Sequence, residues 1–98
     1  MKMIEYDGLD NTDYFFNKAQ REIRKLMGRP TDDELLLIYG LFKQATIGDN
    51  YNSKPSPVWF KETRKWEAWN NQRYKPQNTA KQEYITAVEF LIHKYDIY

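Results

Sequence analysis

The sequence predicts an all-α domain of four helices. Apolar residues recur at three- and four-residue steps in four separate segments, and helix-starting and helix-ending residues punctuate those segments. No segment shows the two-residue alternation of a half-buried strand. A chain of 98 residues fits one such domain. We divide it into an N-terminal extension over residues 1–11 and a helical domain over residues 12–98.

The first helix is expected from Thr12 to Met27, where Phe16, Ala19, Ile23 and Leu26 make one apolar face. Gly28 follows at the place of a C-terminal cap. The second begins at Thr31. Thr31 and Glu34 have the spacing of a capping box, and Asp32, Asp33 and Glu34 suit the positive end of the helix. Leu35, Leu36, Ile38, Tyr39, Phe42 and Thr46 continue its pattern, and Gly48 stops it. Gly40 lies inside this helix at a cost of about 1 kcal/mol relative to Ala. A small residue there implies the close approach of another group.

Residues 49–60 have no period and contain Pro55 and Pro57. A connection of this length in a small domain tends to be functional or disordered. Val58, Trp59 and Phe60 suggest that its end packs down. The third helix is expected from Lys61 to Arg73, with Trp66 and Trp69 on one face. The fourth starts near Pro76, which a first turn tolerates, and carries Ala80, Tyr84, Ala87, Val88, Leu91 and Tyr95 as a stripe.

Composition narrows the chemistry. The chain has no Cys, which excludes disulfides, thiolate metal sites and thiol nucleophiles. Its one histidine, His93, stands near the C-terminus, and Ser53 and Ser56 lie in the long loop with no evident base, so a catalytic constellation is missing. Asp32, Asp33 and Glu34 are helix-start residues rather than metal ligands. No apolar run approaches membrane-spanning length and the first residues lack a signal-peptide core, which suits a cytoplasmic protein. The net charge of +1 argues against nucleic acid as a general partner. Charge is nonetheless segregated: residues 14–29 and residues 54–75 each sum to +4. If these two segments meet in space they form a local anion site; otherwise they are solvated surface.

Aromatic residues reach 16%, with eight Tyr. Tyr39, Phe42 and Lys43 stand at i, i+3 and i+4 on one helix face. Aromatic rings beside an ammonium suit a purine and a phosphate, and equally suit two core rings and a lysine whose stem lies along them. Lys61 and Lys65 share a face at a spacing where like charges repel, a repulsion that a polyanion would relieve. Tyr84 interrupts a small aliphatic stripe, either to stack on a base or as a core tyrosine.

The stretch from Pro30 to Asp49, PTDDELLLIYGLFKQATIGD, resembles the signature of the acyl-CoA-binding proteins. So do Lys65-Trp-Glu-Ala-Trp-Asn70, Tyr84-Ile-Thr-Ala-Val-Glu89 and Lys94-Tyr95, together with Phe16, Ala19 and Leu26 of the first helix. The matches run in order over about residues 14–96. The resemblance implies an up-down-down-up four-helix bundle that binds long-chain fatty acyl-CoA esters without catalysis, needs no cofactor, and acts as a carrier in contact with membranes or acyl-CoA-using enzymes. The residues on the apolar faces are just enough for one core, which predicts a monomer. It places Tyr39 and Lys43 at the nucleotide phosphates and Lys65 and Lys61 at further ligand contacts. It also places Tyr84 against the adenine and Arg24 at a basic contact from the first helix. Phe42 stands where the family often has Tyr, Pro55-Ser56 replaces Pro-Gly, and Glu62-Thr63-Arg64-Lys65 replaces a more basic run. Two other readings make different demands. A helical adaptor domain would capture a protein partner without ligand, and an acyl-CoA hydrolase would turn its substrate over.

Overall fold

The computed structural model describes residues 11–98, and most of the N-terminal extension lies outside them. Its helices are α1 (Thr12–Glu22), α2 (Asp32–Thr46), α3 (Phe60–Asn70) and α4 (Gln77–Tyr95), with one 3-10 turn over Ile23–Lys25. α4 packs against both α1 and α2, and α3 packs against α2 alone.

Contacts between the helices fix their directions. Asp13 meets Lys81 at the start of α4, while Leu26 bridges to Ile97 beyond its end, so α1 and α4 run parallel. Glu34 meets Lys94, and Gln77 donates to the Ala45 carbonyl, so α2 opposes α4. Asp33 faces Arg64 and Lys43 faces Trp69, so α2 and α3 run parallel. This is the up-down-down-up order. α1 and α3 do not touch. The two basic segments therefore flank α2 rather than merge into one cluster.

The core is Phe16 and Ala19 of α1, Ile38, Leu41 and Ala45 of α2, and Ala80, Tyr84, Val88 and Leu91 of α4. In α2 this differs from the sequence reading. Leu35, Leu36 and Tyr39 are only half-buried and Thr46 is exposed, because α2 divides its surface between α4 on one side and α3 on the other. The α3 side is the one that carries Gly40. A Cβ added there would fall inside the van der Waals envelope of the Ala68 carbonyl of α3. The glycine expected to admit a close neighbour thus admits a helix backbone.

Helix ends follow local chemistry. Thr31 and Glu34 form the expected capping box, the Glu34 N–H donating to Thr31 Oγ1 at 3.1 Å and the Thr31 N–H to Glu34 Oε1 at 2.9 Å. Gly48 stops α2 in the left-handed region at φ 99°. α1 is shorter than expected. After the 3-10 turn the chain extends at Leu26, and Met27 N–H donates to the Asp96 carbonyl while Tyr98 N–H donates to the Lys25 carbonyl. The C-terminal segment thus supplies the partners that continued helix would have supplied. Gly28 is not a left-handed cap: a Cβ there would lie 2.6 Å from the ring of Tyr95, so its smallness serves packing. α3 ends at Asn70 rather than Arg73. Turns follow it, and Tyr74, at φ 72°, reverses the chain while donating its N–H to Asp49 Oδ1 at 2.8 Å. Pro76 is the N-cap of α4 rather than a first-turn residue.

The long loop is held by two indoles. Trp66 Nε1 donates to the Asn52 carbonyl and Trp69 Nε1 to the Gly48 carbonyl, each at 2.8 Å. Asn50, buried, donates to the Trp66 carbonyl. The end of the loop does not pack down: Val58, Trp59 and Phe60 are 77%, 65% and 65% exposed.

Glu34 joins the start of α2 to the end of α4. Its Oε1 accepts from Thr31 N–H and from the Tyr95 hydroxyl at 2.6 Å, and its Oε2 accepts from Lys94 Nζ at 2.8 Å. The Lys94 ammonium, then the Tyr95 hydroxyl and the Thr31 N–H, lower its carboxyl from 4.5 to about 2. A depressed carboxylate stabilises the fold above its ordinary pKa and ceases to do so as pH falls through the depressed value.

Two predictions follow from this packing. Gly40→Ala gains about 1 kcal/mol of helix propensity. It must nevertheless lose stability by a net amount of about 1–3 kcal/mol in urea titration, because a methyl is forced against backbone. Glu34→Gln should be less stable than wild type near neutrality, and that difference should close as urea titrations are repeated from about pH 4.5 down to about pH 2. A pH-independent difference would remove the carboxylate from this role.

Candidate functional site

The parallel contact of α2 and α3 leaves an apolar groove of about 410 Å³ at its N-terminal end. Asp32, Leu35, Leu36 and Tyr39 of α2 form one wall, and Phe60, Lys61, Arg64 and Lys65 of α3 form the other, three cations against one acid. The helical period explains the set. Leu35 and Leu36 are four and three residues before Tyr39, and Lys61, Arg64 and Lys65 are at i, i+3 and i+4.

Cations lie over aromatic faces along this seam. Lys65 Nζ sits 5.0 Å from the Tyr39 ring centroid. One turn further along, Lys43 Nζ sits 4.7 Å from the Trp69 ring. Both lysines are half-buried on the seam. Cation–π attraction of about 0.5–1 kcal/mol holds such a side chain in place without neutralising its charge. Lys61 is exposed at the groove's edge. Arg64 is more firmly held, with Nη2 3.3 Å from Asp33 Oδ1 and its guanidinium 5.6 Å from the Phe60 ring.

The structure thus brings Tyr39, Lys61 and Lys65 into one groove and sets Lys43 next along the same helix face. From Leu35 to Lys43 the seam runs for about 12 Å of helix rise. Phe42 and Tyr84 belong to a neighbouring aromatic cluster. Phe42 is half-buried and stacks on Phe16 at 6.2 Å, and Tyr84 meets Phe16 edge to face at 5.0 Å. Tyr84 is only 3% exposed, so its ring is a core element. Burial raises its phenol pKa, opposed by the charge of Arg24. Arg24 itself is exposed in the 3-10 turn after α1. Leu35, Leu36, Phe60 and Arg64 were not singled out as site residues from the sequence. The i−4 and i−3 offsets from Tyr39, and the offset from Lys61 to Arg64, are the signals that find them.

A second groove of about 460 Å³ lies between α2 and α4, over Leu37, Ala87 and Phe90. It is lined by Glu34 and Glu83 and by no cation. Both carboxylates are ion-paired, with Lys94 and Lys75, and the lining offers an anionic ligand no cation, so size alone does not make it the equal of the α2–α3 groove. Among the described residues no group of His, Cys, Asp or Glu could hold a metal ion.

An all-α bundle with an apolar groove, cations at the groove's edge and aromatic rings beside them defines a small binding domain for an amphipathic anion. Comparison with known proteins gives the family. A profile described as acyl CoA binding protein matches residues 13–88. An acyl-CoA-binding protein homolog of Drosophila melanogaster is 51% identical over 80 residues, 82% of this chain and 93% of that protein. The acyl-CoA-binding protein of Saccharomyces cerevisiae is 45% identical over 80 residues, 82% of this chain and 92% of that one. Among solved structures, acyl-CoA-binding protein 2 of Oryza sativa superposes with a TM-score of 0.82 at 30% identity, covering 86% of this chain and 91% of the other. The solution structure of the acyl coenzyme A binding protein from yeast gives 0.66 at 45% identity, covering 87% and 98%. The chain belongs to the acyl-CoA-binding protein family.

Burial of Tyr84 has a pH consequence. A phenol whose pKa is raised on folding favours the folded state up to its unfolded pKa of about 10 and loses that advantage as pH rises further. Stability should therefore fall above about pH 10, and Tyr84→Phe, which keeps the ring, should lessen the fall. An identical alkaline profile for the two proteins, read by denaturant titration, would contradict this assignment.

Proposed function

We propose that this protein binds long-chain fatty acyl-CoA esters and carries them in the cytoplasm, with no chemical step. The observation that supports this best is the composite groove: Leu35, Leu36 and Phe60 offer apolar walls, while Lys61, Lys65 and Tyr39 stand at the same site. A fatty acyl-CoA has the same two halves. Its chain gains roughly 0.8 kcal/mol per methylene withdrawn from water, so two methylenes strengthen binding by on the order of tenfold until the groove is filled. Its phosphates accept charge-assisted hydrogen bonds from Lys43, Lys61 and Lys65, and Arg24 supplies a further cation from the α1 side. Tyr39, Phe42 and the edge of Tyr84 border the nucleotide. The names of the similar proteins speak of binding rather than turnover. The protein acts as a monomer and exchanges its ligand through brief contact with membranes or with enzymes that use acyl-CoA.

Calorimetry tests this with hexadecanoyl-CoA against octanoyl-CoA, free CoA and palmitate. One-to-one binding is expected, tight for the long ester and much weaker for either half alone. Lys43→Ala should lower affinity for the ester by roughly 1–3 kcal/mol while helicity is kept. Equal affinity for palmitate and its CoA ester would sink the carrier reading, and a folded protein that bound none of the four would move the adaptor reading to first place.

A further inference from the structure

Val58, Trp59 and Phe60 are three consecutive large apolar residues held out in solvent. Soluble domains seldom expose such a run without a use for it. Its exposure is built in. The Ser56 carbonyl accepts from Trp59 N–H at 2.9 Å and from the Thr63 hydroxyl at 3.2 Å, which closes a turn between Pro55 and Pro57 and the first turn of α3. Both prolines fix backbone angles, so the tip is presented already ordered.

We infer that this tip is a docking surface for a phospholipid bilayer. This rests on the carrier reading and adds to it the element that meets the membrane. Three features favour a lipid surface over a protein partner. Lys61 is exposed beside the tip, and Lys54 and Arg64 are held only in pairs with the solvent-accessible carboxylates of Glu67 and Asp33, pairs weak enough for anionic headgroups to compete with. A tryptophan beside smaller apolar side chains, flanked by lysines with long stems, is the composition that settles at the headgroup boundary. Phe60 also belongs to the wall of the α2–α3 groove, so the tip and the groove are continuous. A chain leaving a bilayer beside Phe60 would pass between apolar surfaces without crossing bulk water.

The test uses the whole chain and vesicles of phosphatidylcholine with a minority of phosphatidylglycerol. Wild type should co-sediment with them in the absence of ligand. Vesicles with brominated acyl chains should quench part of its tryptophan emission, a part that reports Trp59 because the Trp66 and Trp69 indoles are bonded to loop carbonyls within the fold. The double variant Val58→Ser, Trp59→Ser should lose about tenfold or more in vesicle partitioning. Neither residue lines the groove, so its affinity for hexadecanoyl-CoA in solution should be unchanged. Wild type that ignores vesicles, or a variant that partitions equally well, would overturn the inference. A variant that partitions less and also binds the ester less would overturn it too, assigning the tip to the ligand site. Failure of the carrier reading is separate, since it shows as absent ester binding by wild type.

Discussion

The contact of Gly40 with the Ala68 carbonyl sets the distance between α2 and α3, and the groove exists at the distance it sets. Two parallel helices that close share few large side chains at the point of nearest approach and must diverge from it. On one side of that point Lys43 lies against Trp69, and on the other Tyr39 lies beneath Lys65. Leu35, Leu36 and Phe60 then line the space where the helices part. A helix-disfavouring residue in mid-helix is thus the geometric origin of the cavity. Its local cost of about 1 kcal/mol is small beside what helix packing returns.

The same division explains what the sequence made legible. Helix number, the capping box at Thr31 and Glu34, the stop at Gly48 and the small-residue contact at Gly40 all follow from local chemistry, and all are seen. The stripe of α4 matches its buried face because α4 packs continuously against two neighbours. The stripe of α2 does not match its buried face, because Leu35, Leu36 and Tyr39 face a groove rather than the core, and apolar periodicity does not distinguish the two. The end of α1 was misplaced because its partners come from residues 96–98, a pairing across the whole domain that no local pattern contains. Val58, Trp59 and Phe60 were expected to be covered because apolar residues usually are.

The site residues divide in the same way. Tyr39, Lys61 and Lys65 were chosen partly on one-face spacing within single helices, and the packing of α2 on α3 brings the two faces together. Lys43 follows one turn along. Tyr84 illustrates the opposite case. Its place in the aromatic cluster with Phe16 and Phe42 is a structural role whatever it borders on its outer edge. Arg24 could be singled out only through family resemblance, since an exposed arginine in a turn after a helix carries no local signature.

Because α3 touches no helix but α2, the molecule has an uneven distribution of mechanical support. α1, α2 and α4 share one core, while α3 and the loop before it, tied to each other through Trp66, Asn50 and Asn52, hang from the Gly40 seam, the Trp69–Gly48 hydrogen bond and the Arg64–Asp33 pair. That makes α3 the natural unit of sub-global opening, able to swing away or fray while the three-helix body keeps its amide protons protected from exchange. Half of the groove's wall rides on that unit. An occupant spanning α2 and α3 would act as a missing fourth neighbour, and the slowing of amide exchange it caused would be concentrated in α3 rather than spread over the fold.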